Sequence, residues 1–366
     1  MWKEGTGMLS EIGSNFWLPQ GEKTEAGIKD SLFNATFEDK VFTSSGRGAI
    51  SLVLEEQNEN SNRALLPSFT CESVIEPFIR HGYEVAFYSV GKTLNVDREL
   101  FLDEVRKADS DVILIHNYFG FNTTSEIRDL IPELRKEGIV VIEDITQSLY
   151  SCFGRLKADY FVGSFRKWDG IPDGGFVLKV NGKIENEPTK EDTALAEMKV
   201  AAMKAKYEYL FHNQGEKESF LKLFAEAENL LENEQGVYKM SDFSQRVQAN
   251  IRIEKIKEAR RRNYLHLLEK IGSSVDQLFQ TLPEDVTPLY FPVVCKNRRT
   301  ELQIWLRSNR IYAPVVWPKP ESITGELQDA DFYYDKLLCI PCDQRYGTDE
   351  MARIASAINL WNGDFS

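Results

Sequence analysis

The stretch DVILIHNYFGFNTTSEIRDLIPELRKEGIVVIED (residues 111–144) decides the fold. Its two apolar runs, VILIH and IVVIED, show no polar alternation, so both faces of each strand should be covered. Between them SEIRDLIPELRKEG has the composition of a helix and ends on Gly138. A strand, a helix and a second buried strand make a parallel crossover unit.

The same alternation extends on both sides. GRGAISLVLEEQ (46–57), ESVIEPFIRHG (72–82) and VDRELFLDEVRKA (96–108) are predicted helices, the last opened near Asp97. RALLP (63–67) and EVAFYSV (84–90) are predicted strands, and DYFVGSF (159–165) and GGFVLKV (174–180) follow without a helix between them. The expectation is an α/β protein with a mainly parallel sheet, helices on both faces, and ligands at the carboxyl ends of the strands. His116, Asn117, Asp144, Ser164 and Lys167 fall at such ends.

Residues 189–213 and 218–234 are charged, rich in alanine and leucine, and read as a helix pair covering a surface. SDFSQRVQANIRIEKIKEARRRNYLHLLEKI (241–271) reads as one long helix capped by Ser241 or Asp242. Its basic residues Lys257, Arg260, Arg261 and Arg262 are expected on a solvated face. LYFPVVC, TELQIWLRSNRI and YAPVVW then read strand, helix, strand, and DEMARIASAINLW closes as an amphipathic helix. The expected division is an N-terminal arm (1–25), a large domain (26–238) and a smaller C-terminal α/β domain (239–366).

The chain has 366 residues and a formal net charge of −13, which argues against a nucleic-acid-binding surface. An anionic substrate would need local cations. The N-terminal residues lack the apolar core of a signal peptide, and no apolar run reaches membrane-spanning length. Five scattered cysteines read as reduced thiols of a cytoplasmic protein. The Cys339/Cys342 pair, with no histidine near, reads as packing, and no metal is expected.

GSFRKWDGIPDGG (163–175) carries the chemistry. A lysine after one strand end, a carboxylate on the preceding strand end (Asp144) and a following glycine pair suit an enzyme that holds pyridoxal 5′-phosphate (PLP). Lys167 would form the Schiff base, and Asp144 would keep the pyridine nitrogen protonated so that the ring acts as an electron sink. Glu143 competes for that role, but successive strand residues point to opposite faces. In SSGRGAI (44–50) glycine backbone and a helix N-terminus offer a phosphate site.

With SSGRGAISL, LPSFTCESV, ILIHNYFGF, VVIEDITQS, GSFRKWDGIPDGG, VYKMSDFSQ and LLCIPCDQRYGTDEM in this order, the chain resembles the DegT/DnrJ/EryC1/StrS sugar aminotransferases from about residue 40 to its end. The resemblance implies the fold-type-I PLP-transferase architecture, a nucleotide-linked keto-sugar substrate, an amino-acid donor, usually glutamate, and a homodimer with shared active sites. It implies Lys167 as the Schiff-base lysine, Asp144 as the pyridinium partner, and Gln147 against the ring or its phenolic oxygen. Gly46 and Arg47 fall in the phosphate segment, where Arg47 would pair with phosphate or face a substrate carboxylate. Ser164 corresponds to a phosphate-binding serine, although GSFRK is shortened. Cys71 stands where relatives have a stacking aromatic residue, and Asn117 where they often have histidine. Val237 and Lys239 replace an asparagine and an arginine that reach the neighbouring cofactor in relatives. Lysine rather than histidine at 167 favours transamination over dehydration. The rival readings are a PLP-binding homologue without turnover, a different PLP chemistry, and a Rossmann-like sugar-nucleotide enzyme, for which no GxGxxG follows the early strand.

Overall fold

The computed structural model describes residues 10–19, 27–57, 62–296, 298–323, 327 and 329–361. Chain order begins with β1 (Ile12–Gly13), β2 (Asp39–Thr43), α1 (Gly46–Glu55), β3 (Arg63–Pro67), α2 (Glu72–Arg80), β4 (Glu84–Tyr88), α3 (Arg98–Ala108) and β5 (Val112–His116). It continues with α4 (Ile131–Lys136), β6 (Val140–Asp144), β7 (Tyr160–Ser164), β8 (Gly175–Lys179), α5 (Thr193–His212), α6 (Lys217–Glu232), α7 (Asp242–Ala249) and α8 (Ile253–Lys270). The last elements are β9 (Asp276–Gln277), β10 (Phe291–Val294), α9 (Arg299–Ser308), β11 (Ile311–Tyr312), α10 (Asp329–Lys336), β12 (Leu337–Ile340) and α11 (Thr348–Leu360).

β2 to β8 form a seven-stranded sheet in the order β2-β8-β7-β6-β5-β3-β4. The five strands from β7 to β4 are parallel, and β8 runs antiparallel to both β7 and β2. β5 is buried at every position, as its unbroken apolar run requires. The observed architecture is the expected α/β one, a large, mainly parallel sheet under helices. β9, β10 and β12 form a second, antiparallel sheet, and β1 pairs with β11. The N-terminal arm is thereby stitched to the C-terminal part of the chain.

Several elements differ from the sequence expectation. β2, an edge strand with mixed burial, carried no clear periodicity. The segment 125–138 holds a short 3-10 turn and then α4, because Pro132 lacks an amide hydrogen and sits only at a helix start. The long helix expected over 241–271 breaks between α7 and α8, where the Asn250 side chain bonds the Arg246 carbonyl at 2.6 Å and Arg252 leaves helical geometry. Ser241 is the cap, accepting the Ser244 amide. YAPVVW forms no strand beyond Tyr312. Cys339 and Cys342 are fully buried free thiols packed in the core. Among the described residues no helix is long and apolar enough to cross a membrane.

Arg260 is the largest departure from the expected solvated face. It is 1% exposed and donates to the Gln344 side chain (2.8 Å), the Leu289 carbonyl (2.8 Å) and the Trp168 carbonyl (3.1 Å). Its guanidinium lies 4.8 Å from the Trp168 ring. It thus ties α8 to the residue after Lys167 and to the C-terminal segment. Arg260→Met is expected to strand these carbonyls and lower stability by about 3 kcal/mol. A urea midpoint equal to that of the wild type would refute this role.

Candidate active site

The strand directions bring five chain segments to one edge of the large sheet. These are the turn after β2 (Ser44–Gly46), the end of β3 up to Cys71, His116 at the end of β5, Asp144 at the end of β6, and the Ser164–Lys167 turn after β7. β8 starts at the same edge, with Gly175 opposite both Thr43 and Ser164. A Cβ on Gly175 would lie 2.2 Å from the Ser45 carbonyl oxygen and 2.7 Å from the Gly46 nitrogen. Gly174 adopts φ +144°, outside the range of ordinary side chains. The glycine pair is therefore what lets β8 close against the start of α1.

Gly46 and Ser164 meet here, since a Cβ on Gly46 would lie 3.3 Å from that of Ser164. Ser45 caps α1 by accepting the Gly48 amide at 3.0 Å. The helix thus presents its positive N-terminal end beside a serine hydroxyl, a setting for a phosphate. Ser164 Oγ faces the Gly174 carbonyl at 3.3 Å, a long bond that a better partner can replace. Arg47 does not turn toward this cradle. Its guanidinium pairs with Glu76 at 2.8 Å and donates to the Leu231 carbonyl at 3.0 Å, so only its backbone remains for an anion.

Asp144 is half-buried and accepts the Thr146 amide at 2.8 Å. Loss of solvation raises its pKa, opposed by the Thr146 hydrogen bonds and by the charge of Lys167. Lys167 ends the 3-10 turn Phe165–Lys167 and opens to the cleft, with no hydrogen-bond partner among the described residues. Surrounding protein still lowers its pKa by desolvation, and Arg166 adds repulsion, while Cys71, Glu228 and Asp144 oppose the shift. Cys71, at the start of α2, carries a thiol 3.0 Å from Ser73 Oγ and with its pKa raised by burial. Asp144, Lys167 and Cys71 are thus near enough to influence one another's charge.

Gln147 is 5% exposed, and its Oε1 accepts the Phe119 amide at 2.8 Å. Its buried Nε2 has no partner. An orphaned donor of this kind is costly unless a ligand oxygen completes it. Asn117 lies elsewhere. Its Oδ1 accepts from Thr123 N (2.8 Å), Thr124 N and Thr124 Oγ1 (3.0 Å), and its Nδ2 faces Glu143 at 3.5 Å. It therefore orders the loop after β5 on the sheet face that carries Glu143. Alternation puts its neighbour His116, the register partner of Asp144, on the other face. His116 has an unpartnered Nε2, and burial holds its pKa down to about 3, so the ring is neutral. Trp317 packs edge-on to it with centroids 5.8 Å apart. The signal for His116 lay in the sequence, in the matching positions of the VILIH and VVIED runs.

A carboxylate that drew no notice in the sequence sits beside the cradle. Glu234 is 8% exposed and accepts from Ser44 Oγ at 3.0 Å, with Ser45 Oγ at 3.5 Å. Burial raises its pKa to about 7, with Asp192 pushing the same way and Arg47 opposing. Farther along, Glu228 bridges Arg166 (2.6 Å) and Lys199. Burial pushes Glu228 up, but these two cations hold it at about 2. Lys239 is engaged by Glu191 at 3.1 Å and Asp242 at 3.5 Å.

The fold is the fold-type-I aminotransferase architecture, a large, mainly parallel sheet under helices. Residues 7–167 match the DegT/DnrJ/EryC1/StrS aminotransferase family. No curated protein matches the chain. Among solved structures it is similar to Helicobacter pylori PseC, an aminotransferase involved in the biosynthesis of pseudoaminic acid. That pair shares 14% identity and a TM-score of 0.70, over 97% of this chain and 100% of the other. It is also similar to a DegT DnrJ EryC1 StrS aminotransferase from Brucella abortus, with 18% identity and a TM-score of 0.63 over 90% and 87% of the two chains. A third is the sugar aminotransferase CalS13 from Micromonospora echinospora, with 14% identity and a TM-score of 0.59 over 87% and 86%. At these identities the structures share the fold.

Glu234 generates a pH dependence. Its folded pKa stands above its ordinary value of 4.5, so the stability it contributes is present in acid and is lost as pH rises through about 7. Glu234→Gln is expected to flatten the fall in unfolding free energy across that window by about 2 kcal/mol. Asp169, also raised to about 7 by burial, keeps a residual slope in both proteins. Denaturant melts at a series of pH values check this, and identical slopes would contradict it.

Proposed function

We propose that this chain transfers an amino group from an amino-acid donor, glutamate by family habit, to the ketone of a nucleotide-linked sugar. The observation that carries the reading is the unpartnered Lys167 amine close to Asp144 at the edge where Gly46, Ser164 and the start of α1 meet. When bound, PLP supplies the electron sink that makes the carbon next to the amino group acidic.

The chain's own residues do the rest. Lys167 would hold the cofactor through its amine until a donor amine takes its place. Its lowered pKa then suits it to take the proton from the donor's α-carbon and return it to the cofactor carbon. Asp144, whose carboxylate is destabilised by burial, gains most from a cationic ring nitrogen beside it, so each holds the other charged. Gln147 Nε2, buried without a partner, would donate to the ring's phenolic oxygen. Ser164 Oγ and the amides of Gly46 and Arg47 would hold the phosphate, with Ser45 shaping the turn. Cys71 covers less of the ring than an aromatic residue would. A cytoplasmic homodimer with active sites shared between subunits, and the division into an arm, a large domain and a small domain, are parts of this proposal. The rival reading, a cofactor-binding homologue without turnover, draws on Glu234 beside the phosphate cradle and on the diversion of Arg47 to Glu76.

Absorption spectra with PLP, before and after glutamate, test the proposal. The wild type is expected to show a visible band that glutamate bleaches and a nucleotide keto-sugar restores. Lys167→Ala is expected to lack that band and to lose about 10²–10⁴-fold in the half-reaction rate. A band that no amino donor changes would favour the silent homologue. A wild type without a band would refute the assignment of Lys167.

A further inference from the structure

Lys167 also lines a cavity of about 410 Å³, one to which Asp144, Gln147 and Gly46 contribute nothing. Its walls come from the arm (Gly13–Phe16), α5 and α6, and the C-terminal part of the chain.

The charge of this cavity is opposite to that of the chain. Six cations line it (Arg166, Lys167, Lys199, Arg260, Arg307 and Arg345) against two carboxylates, Glu228 and Asp343. The formal charge of the whole chain is −13. Most of these cations are committed. Arg166 and Lys199 share Glu228. Arg345 forks onto Asp343 at 2.7 and 2.9 Å. Arg260 is spent on Gln344 and backbone carbonyls. Lys167 is claimed by the chemistry. Arg307, in the last turn of α9, is exposed and has no side-chain partner among the described residues. One turn earlier on the same helix face Gln303 lines the same cavity, its Nε2 held by the Ala313 carbonyl at 2.9 Å.

We propose that Arg307 receives the anionic group of the substrate while the reacting carbon is at Lys167. This rests on the reading of Lys167 given above and adds to it the recognition of charge. A guanidinium offers a fork of donors that matches either a carboxylate or a phosphate. That group is the carboxylate of the amino donor or a phosphate of the activated sugar, and the two sources share one chemistry. The excess of cations over carboxylates in its walls draws such an anion to this cavity of an otherwise acidic protein.

The test measures binding by calorimetry to the PLP-loaded protein, using probes that cannot turn over. Glutarate stands in for the donor carboxylates and inorganic pyrophosphate for the nucleotide phosphates. Arg307→Gln is expected to weaken at least one probe about tenfold, and Arg307→Lys to recover part of the loss. The visible band and the thermal midpoint should not change. Loss confined to glutarate assigns Arg307 to the donor, and loss confined to pyrophosphate assigns it to the sugar nucleotide. Loss of both marks one anion site used in both half-reactions. Equal affinities in all three proteins, or no binding of either probe to the wild type, would overturn the proposal. Failure of the visible band in every protein would instead strike at the role of Lys167, which the binding data do not depend on.

Discussion

At Gly175 the backbone of β8 comes so close to Ser45 and Gly46 that no side chain fits between them. The site depends on this contact. The Gly174 amide donates to the Ser44 carbonyl at 2.6 Å and its carbonyl accepts the Phe165 amide at 3.1 Å, so one short segment joins the turn before α1 to the turn that carries Lys167. The antiparallel placement of β8 between β2 and β7 makes this possible. A parallel strand there would begin at the other edge of the sheet. A side chain at 174 or 175 would push the phosphate cradle away from the lysine, because sheet and helix cannot both yield.

Around this contact the electrostatics are local and opposed to the acidic chain. Desolvation lowers Lys167 and raises Asp144, and each stabilises the charge of the other. Glu228 sits with Arg166 and Lys199 rather than with Lys167, so the neighbouring cations are neutralised while the reactive amine stays without a hydrogen bond. Among the groups left incomplete are the buried Gln147 amide and the Arg307 guanidinium that lines the cavity.

Much of this was legible in the residues. The buried runs VILIH and VVIED gave the parallel strands, and the glycine pair marked the close approach of β8 to the start of α1, because those patterns are enforced locally by burial and backbone geometry. Roles set by distant contacts were not. Arg47 was expected near a phosphate or a substrate, yet Glu76 and Leu231 claim it from other helices. Arg260 lay in a basic run that resembles a solvated face, and only tertiary packing makes it a core residue. Asn117 and His116 differ by one position, and alternation along β5 decides which of them shares a face with Asp144. Glu234 lies beyond a helix pair, and nothing in its neighbourhood in sequence points to Ser44 and Ser45.

The most direct measurement of the central claim is peptide mapping by mass spectrometry after the PLP-loaded protein is reduced with borohydride. The account expects the phosphopyridoxyl mass on the peptide containing Lys167, and on no other lysine at comparable occupancy. A label on Lys199 or Lys239, or none at all, would contradict it.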